Sequence, residues 1–302
     1  MTQYDKFIVP RFVRLWVFPA YLMLLTGCGK VVSSTPFVPL QTASPSPTIT
    51  STLAPPTSTP VPLAAIVNGE PITLAQYQAE LTRYKVAIGT ELATEDKQRV
   101  LEDLIDQYLL AQAAKDKGFI VDNKIIQDHI ASLGTPEVLA NWISNNGYTE
   151  VTFRQDLRRS LATAWMRDQL IAQVPTTAEQ VHVRQILLYS SDQANEVLAQ
   201  LKAGKDFAAL AAQYDPLTFG DLGWSPRHYL LDPKIEEAVF SLQPGQSSDV
   251  IQTSAGFHII QVIERESQRP LDSNALLALQ LQALDNWLQE RRNQSQIQFL
   301  LP

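Results

Sequence analysis

One cysteine and four histidines hold the thiol and imidazole chemistry available to this chain of 302 residues. A single thiol, Cys28, cannot close an intramolecular disulfide or build a cysteine zinc site. Four histidines in the whole chain also argue against a His-rich centre, so no metal is assigned. His129 falls on the apolar stripe of a helical segment, which marks it as a packed core residue. The surroundings of Cys28 are more telling. Lys6, Arg11 and Arg14 precede the apolar run Leu15–Leu25, and Thr26 and Gly27 separate that run from the cysteine. A basic stretch, a short apolar stretch and small residues before a cleavage point make a secretory signal over residues 1–27. The run is much shorter than the roughly 20 residues a helix needs to cross a bilayer.

The rest of the chain must supply and position any other chemistry. The net charge is −7, apolar residues make up 45% and charged residues 18%. With no basic run, the charge pattern argues against nucleic acid as the main partner. From Val31 to Leu63 there is no charged residue, and eight of the 19 prolines fall there. Such a segment cannot bury enough apolar surface to offset its ordering entropy, so residues 28–63 are expected to form a disordered tether. Extended at about 3.1 Å per residue, it would reach roughly 100 Å.

Residues 64–176 read as helical. Ala64–Val67 suggests a short strand before an Asn68-Gly69 turn. Thr73 and Gln76 form a capping box ahead of Leu74, Tyr77, Leu81, Tyr84 and Ile88 at helical spacing. Four more helices follow, opening near Thr94, Asp122, Val138 and Thr149 and ending before Pro175. Residues 177–266 alternate strands and helices, with strands over Val181–Tyr189, Val250–Thr253 and Phe257–Ile263 and a turn-rich loop over Tyr214–Trp224. This is the pattern of a small α+β domain. Residues 267–302 hold a strongly apolar helix to about Arg291, expected to pack on the helical region, and a closing strand at Ile297–Leu300.

Two resemblances follow from these strings. Leu25-Thr26-Gly27-Cys28 resembles a bacterial lipobox, which implies cleavage before Cys28 and a diacylglycerol on its thiol. Four segments resemble the parvulin-type peptidyl-prolyl isomerases: Asp206–Ala211, Phe219–Trp224, Ala238–Gly245 and Ala255–Ile260. Val67–Thr73 and the helix from Leu101 to Gly118 resemble the chaperone region of lipid-anchored and periplasmic foldases. The fold implied is α+β, a parvulin-like four-stranded sheet with surrounding helices, inserted in a mostly helical chaperone-like domain.

The resemblance also implies a site. An aliphatic slot for the proline ring falls on Leu222, Leu231 and Ile235, with Phe240 behind it. The family's second histidine matches His258 and its threonine matches Thr253, while Gln185 stands in place of the first histidine. His182 lies an odd offset from position 185 and so on the opposite strand face. Asp215 is the candidate for the acidic position, in a loop shorter than the family's usual one, and Phe219 stands where the family usually has glycine. The Ser190–Gln193 loop has no basic cluster, which argues against phosphorylated substrates. The activity implied is cis–trans isomerisation of X–Pro bonds in unfolded or partly folded exported proteins. It needs no cofactor, and the protein would sit on the extracytoplasmic face of a bacterial envelope, held to the membrane by its lipid. The alternative implied is a holdase that binds unfolded chains through a weak or inactive parvulin domain.

Overall fold

A computed structural model describes residues 61–230 and 232–301. The secretory signal, Cys28, nearly all of the tether and Leu231 of the proline slot lie outside the described residues.

The described chain opens with strands β1 (Leu63–Val67) and β2 (Glu70–Thr73), joined by the Asn68-Gly69 turn. Helices α1 (Leu74–Ile88), α2 (Thr94–Asp116), α3 (Asn123–Ser132), α4 (Pro136–Asn145) and α5 (Glu150–Ile171) follow. Their starts are set locally. The Thr73 hydroxyl accepts from the Gln76 N–H and the Gln76 side chain accepts from the Thr73 N–H, so two otherwise orphaned donors are satisfied. Asp122 caps α3 through the Ile125 N–H at 2.8 Å. Aromatic packing then ties the bundle together, with Phe119 stacked on Trp165 at 4.6 Å between ring centroids. His129 is half-buried in the last turn of α3, where Ile126 is the buried residue. It flanks the apolar stripe, correcting the expectation of a core histidine.

A second unit interrupts this helical one. It contains β3 (Thr177–Leu188), α6 (Ser191–Lys202), α7 (Phe207–Tyr214), β4 (Asp221–Pro226), α8 (Pro233–Ser241), β5 (Ile251–Thr253) and β6 (Gly256–Pro270). The four strands form one antiparallel sheet in the order β4-β3-β6-β5. β4 occupies the end of a segment whose turn residues suggested a loop, because its backbone pairs with the edge of β3. Likewise Ser191, Asp192 and Gln193 form the first turn of α6 rather than a loop.

Period-two alternation divides the sheet's residues between two cores. On one face Ile186, Leu188 and Ile259 meet Ala194 and Val197 of α6 and Phe207, Leu210 and Ala211 of α7. On the other, Val181, Val183, Ile260 and Val262 meet Val239 and Phe240 of α8.

The chain then returns to the helical unit. In α9 (Ser273–Asn293), Leu284 and Leu288 are buried with Phe153, Leu157 and Met166 of α5. β7 (Ile297–Phe299) pairs with β1 to close a three-stranded sheet in the order β2-β1-β7. The sheet-bearing unit is thus inserted between helical parts that pack together. Among the described residues, no helix is long and apolar enough to cross a membrane.

Candidate active site

The two central strands, β3 and β6, position the polar groups. Gln185 pairs with Ile260 and Leu187 pairs with His258, so Gln185 and His258 project from the face that carries α8. Ile251 of β5 pairs with His258, which puts Thr253, two residues on, over the same face.

These three side chains form one hydrogen-bonded row. Thr253 Oγ1 lies 2.9 Å from His258 Nε2, and His258 Nδ1 lies 3.2 Å from Gln185 Oε1. The Ala255 N–H donates to Thr253 Oγ1 at 3.0 Å, occupying one acceptor site of the hydroxyl. A consistent assignment has the hydroxyl donating to Nε2 and Nδ1–H donating to the Gln185 carbonyl oxygen, with neutral imidazole between them. His258 is 5% exposed, and burial pushes its pKa below 6.5 against the opposing pull of the Asp232 carboxylate. Burial therefore favours the same neutral imidazole that the hydrogen bonds require. The row can donate and accept hydrogen bonds, but it offers neither a fixed charge nor an activated nucleophile.

Asp215, Leu217, Thr218, Phe219 and Gly220 form the turn beside this row. The Gln185 N–H donates to the Gly220 carbonyl at 2.8 Å, fastening the turn to the strand that bears the amide. Gly220 has φ of +72°, and a Cβ there would meet the Gln185 carbonyl oxygen at 2.1 Å. Only glycine fits this approach. Asp215 is turned into the loop itself. Its carboxylate accepts from the Leu217 and Thr218 N–H groups at 3.2 Å each and from the Thr218 hydroxyl. The Thr218 hydroxyl holds the Asp215 carboxyl below the usual carboxylate range, with backbone N–H groups assisting. Asp215 thus forms its own turn, and the structure shows no hydrogen bond from it to the His258 row.

The slot residues separate by depth. Leu222 is exposed on β4, Ile235 is half-buried on α8, and Phe240 lies in the core beneath, with the Arg227 guanidinium 4.1 Å from its ring centroid. Phe240 therefore supports the face from below and does not line its surface. His182 lies between the inward-facing Val181 and Val183, on the face opposite Gln185. There its Nε2 meets Asp221 at 2.9 Å and its ring stacks on Trp224 at 5.3 Å. Burial works against the Asp221 charge, but the Gly223 N–H and the His182 ring outweigh it and hold the carboxyl below its ordinary range. Two signals for this arrangement were present in sequence: Asp-Leu-Gly at 221–223, which makes an Asx turn, and the glycine of Phe219-Gly220.

The family model for the PPIC-type PPIase domain matches residues 188–264, and that for the SurA-like N-terminal domain matches residues 47–167. The first span contains Asp215, Leu222, Ile235, Phe240, Thr253 and His258, and Gln185 precedes its start. The chain is similar to the foldase protein PrsA of Caldanaerobacter subterraneus subsp. tengcongensis, with 29% identity over 66% of this chain and 72% of that protein. It is also similar to a probable parvulin-type peptidyl-prolyl cis-trans isomerase of Bordetella pertussis, with 26% identity over 78% of this chain and 92% of the relative. A solved structure of peptidylprolyl isomerase PrsA from Bacillus cereus aligns with a TM-score of 0.45 and 20% identity, over 75% of this chain and 87% of that one.

Proposed function

The chain is a parvulin-family protein, a PPIC-type isomerase domain joined to a SurA-like N-terminal region, and from that premise we propose that it is a lipid-anchored foldase. In this reading it isomerises X–Pro bonds in exported proteins on the extracytoplasmic side of the envelope. Residues 1–27 direct export, Cys28 carries the lipid and residues 28–63 hold the foldase away from the membrane. Residues 64–176 and 267–302 form the chaperone-like part, and residues 177–266 form the isomerase.

The observation that carries the reading is the Thr253–His258–Gln185 row, set on the α8 face of the sheet that also bears Ile235. Rotation about an X–Pro bond faces a barrier of about 18–20 kcal/mol and takes about 10–100 s unaided. No covalent step is needed. The amide loses its planarity in the transition state, so a site accelerates rotation by gripping the ring while favouring the twisted form over either planar one. Leu222, Leu231 and Ile235 would hold the ring, and the neutral row would offer hydrogen bonds to the twisting amide without transferring a net proton.

Gln185 favours a second reading, a chaperone whose isomerase site is slow. A glutamine amide can donate and accept, but it cannot exchange those roles between two ring nitrogens as an imidazole does. Proline-containing tetrapeptides, assayed beside the aggregation of an unfolded client, separate the two. Isomerisation above background supports the foldase, while suppressed aggregation without isomerisation supports the chaperone. Absence of both overturns the two together. In the first case, Gln185→His is expected to raise the rate by up to about tenfold, the equivalent of one added hydrogen bond. Mass spectrometry of the mature amino terminus tests the lipid on Cys28.

A further inference from the structure

Strand β4 does not run evenly along β3. Val183 is opposite Gly223 and Arg184 is opposite Asp221, so three residues of β4 face two of β3 and Leu222 has no partner across the pair. This is a β-bulge, a device that re-aims a side chain next to a site. Its effect on alternation is visible in the neighbours. Asp221 and Trp224 are three residues apart, and a regular strand would send their side chains to opposite faces. Both nevertheless reach His182. Asp221 does so through Oδ1 at 2.9 Å and Oδ2 at 3.1 Å from Nε2, and Trp224 by stacking at 5.3 Å between ring centroids.

The bulge is clamped from several sides. Upstream of it, the Gly220 carbonyl accepts from the Gln185 N–H at 2.8 Å. Across it, Asp221 Oδ1 accepts from the Gly223 N–H at 2.8 Å, and Gly223 has φ of +73°. From β3, His182 Nε2–H donates to the same carboxylate, a role open to the neutral ring and to the cation alike. The Trp224 stack fixes the orientation of that imidazole, and the Arg269 guanidinium packs on Trp224 in turn, 4.0 Å from its ring centroid. An even pairing of β4 with β3 would need none of these polar groups. What they hold in place is the extra residue, Leu222, which is 42% exposed.

We propose that His182, acting through Asp221, is a positioning residue that fixes this bulge and so sets Leu222 in the slot that grips the proline ring. This rests on the isomerase reading above, in which Leu222 lines that slot. His182 lies on the face opposite Gln185 and takes no part in the row. Its influence runs from Nε2 to the Asp221 carboxylate and from there to the backbone on both sides of Leu222. A grip on the ring acts on planar and twisted amides alike, so its loss falls on KM and spares kcat.

The test is a double-mutant cycle on the full chain, with Ala-Ala-Pro-Phe as substrate. Leu222→Ala is expected to raise KM roughly tenfold, the low end of what one apolar contact discriminates. His182→Phe keeps a flat ring against Trp224 but removes the donor, and should raise KM by no more than Leu222→Ala does, with kcat within about twofold of wild type. In the Leu222→Ala background the same change should move KM by less than about twofold, because the group it positions is gone. Asp221→Ala removes the other half of the clamp and should behave alike, so the cycle stands if one of the two variants fails to fold. A role in stability alone would lower the melting temperature and leave KM in place. Unchanged KM in a folded variant therefore overturns the proposal. So does a loss confined to kcat, or one that multiplies with that of Leu222→Ala to roughly a hundredfold. If the wild type binds the peptide without isomerising it, the isomerase reading fails alone, and calorimetric Kd values complete the same cycle. A wild type that neither binds nor isomerises the peptide overturns both.

Discussion

His258 sits between a hydroxyl and an amide, and each neighbour makes a different demand on it. The Thr253 hydroxyl satisfies one buried ring nitrogen at 2.9 Å. Replacing Thr253 with valine keeps the shape but leaves that nitrogen unpaired, at a cost of about 1–3 kcal/mol. Urea denaturation should show that loss in Thr253→Val, together with a reduced isomerisation rate. The protonation of His258 makes a separate prediction. Burial pushes its pKa below 6.5, so the folded state binds fewer protons than the unfolded chain across the interval beneath that value. Stability from this group is therefore complete above pH 6.5 and declines as pH falls through the interval. Activity that depends on neutral His258 should keep its plateau below pH 6.5, with the acid limb of the kcat/KM profile displaced downward. A limb at or above that pH would show that the imidazole is not held neutral by its surroundings.

At the scale of elements, the site depends on how closely the 215–220 turn approaches β3. Gly220 meets the Gln185 carbonyl at a distance no side chain can share, with φ of +72°. Gly220→Ala combines a left-handed backbone penalty of about 1–2 kcal/mol with a clash against backbone that cannot move aside. Thermal unfolding should reveal a loss at least that large, and the displacement of Gln185 should lower activity as well. The elements differ in how readily they could be read from sequence. The helices were legible because caps and apolar spacing act within a few residues, as at Thr73 and Asp122. β4 was not, because Asp221–Pro226 becomes a strand only by pairing with Gln180–Arg184, distant in sequence. β3 and β6 also run longer than their apolar segments, since each supplies the other's hydrogen bonds as far as Thr177 and Pro270.

For the molecule as a whole, the return of the chain after β6 secures the helical unit. Arg292 of α9 donates to the buried Asp106 of α2 at 2.6 Å and to the Glu102 carbonyl at 3.2 Å. Removing one partner of a fully buried pair costs roughly 3–5 kcal/mol. Arg292 remains partly exposed, so Arg292→Met should lose somewhat less, about 2–3 kcal/mol, measured by chemical denaturation. Hydrogen exchange should place the loss in α2, α9 and the β2-β1-β7 sheet, leaving β3 and β6 protected. Equal loss in both units would show that they unfold as one.

Sequence alone determined the helices, the insertion of a small α+β unit and the residues from which a parvulin site could be built, because caps, periodicity and motif strings act over short range. Gln185, Thr253 and His258 could be named from sequence. Asp215 is held by bonds within its own turn and Phe240 is buried by the packing of α8, whereas the joining of Gln185, Thr253 and His258 into one hydrogen-bonded row was decided by strand register. A pairing shift of one residue would move these side chains to the other face of the sheet. The β3–β6 register is set by contacts between segments more than 60 residues apart, such as Gln185 with Ile260, while β5 meets β6 across a short turn.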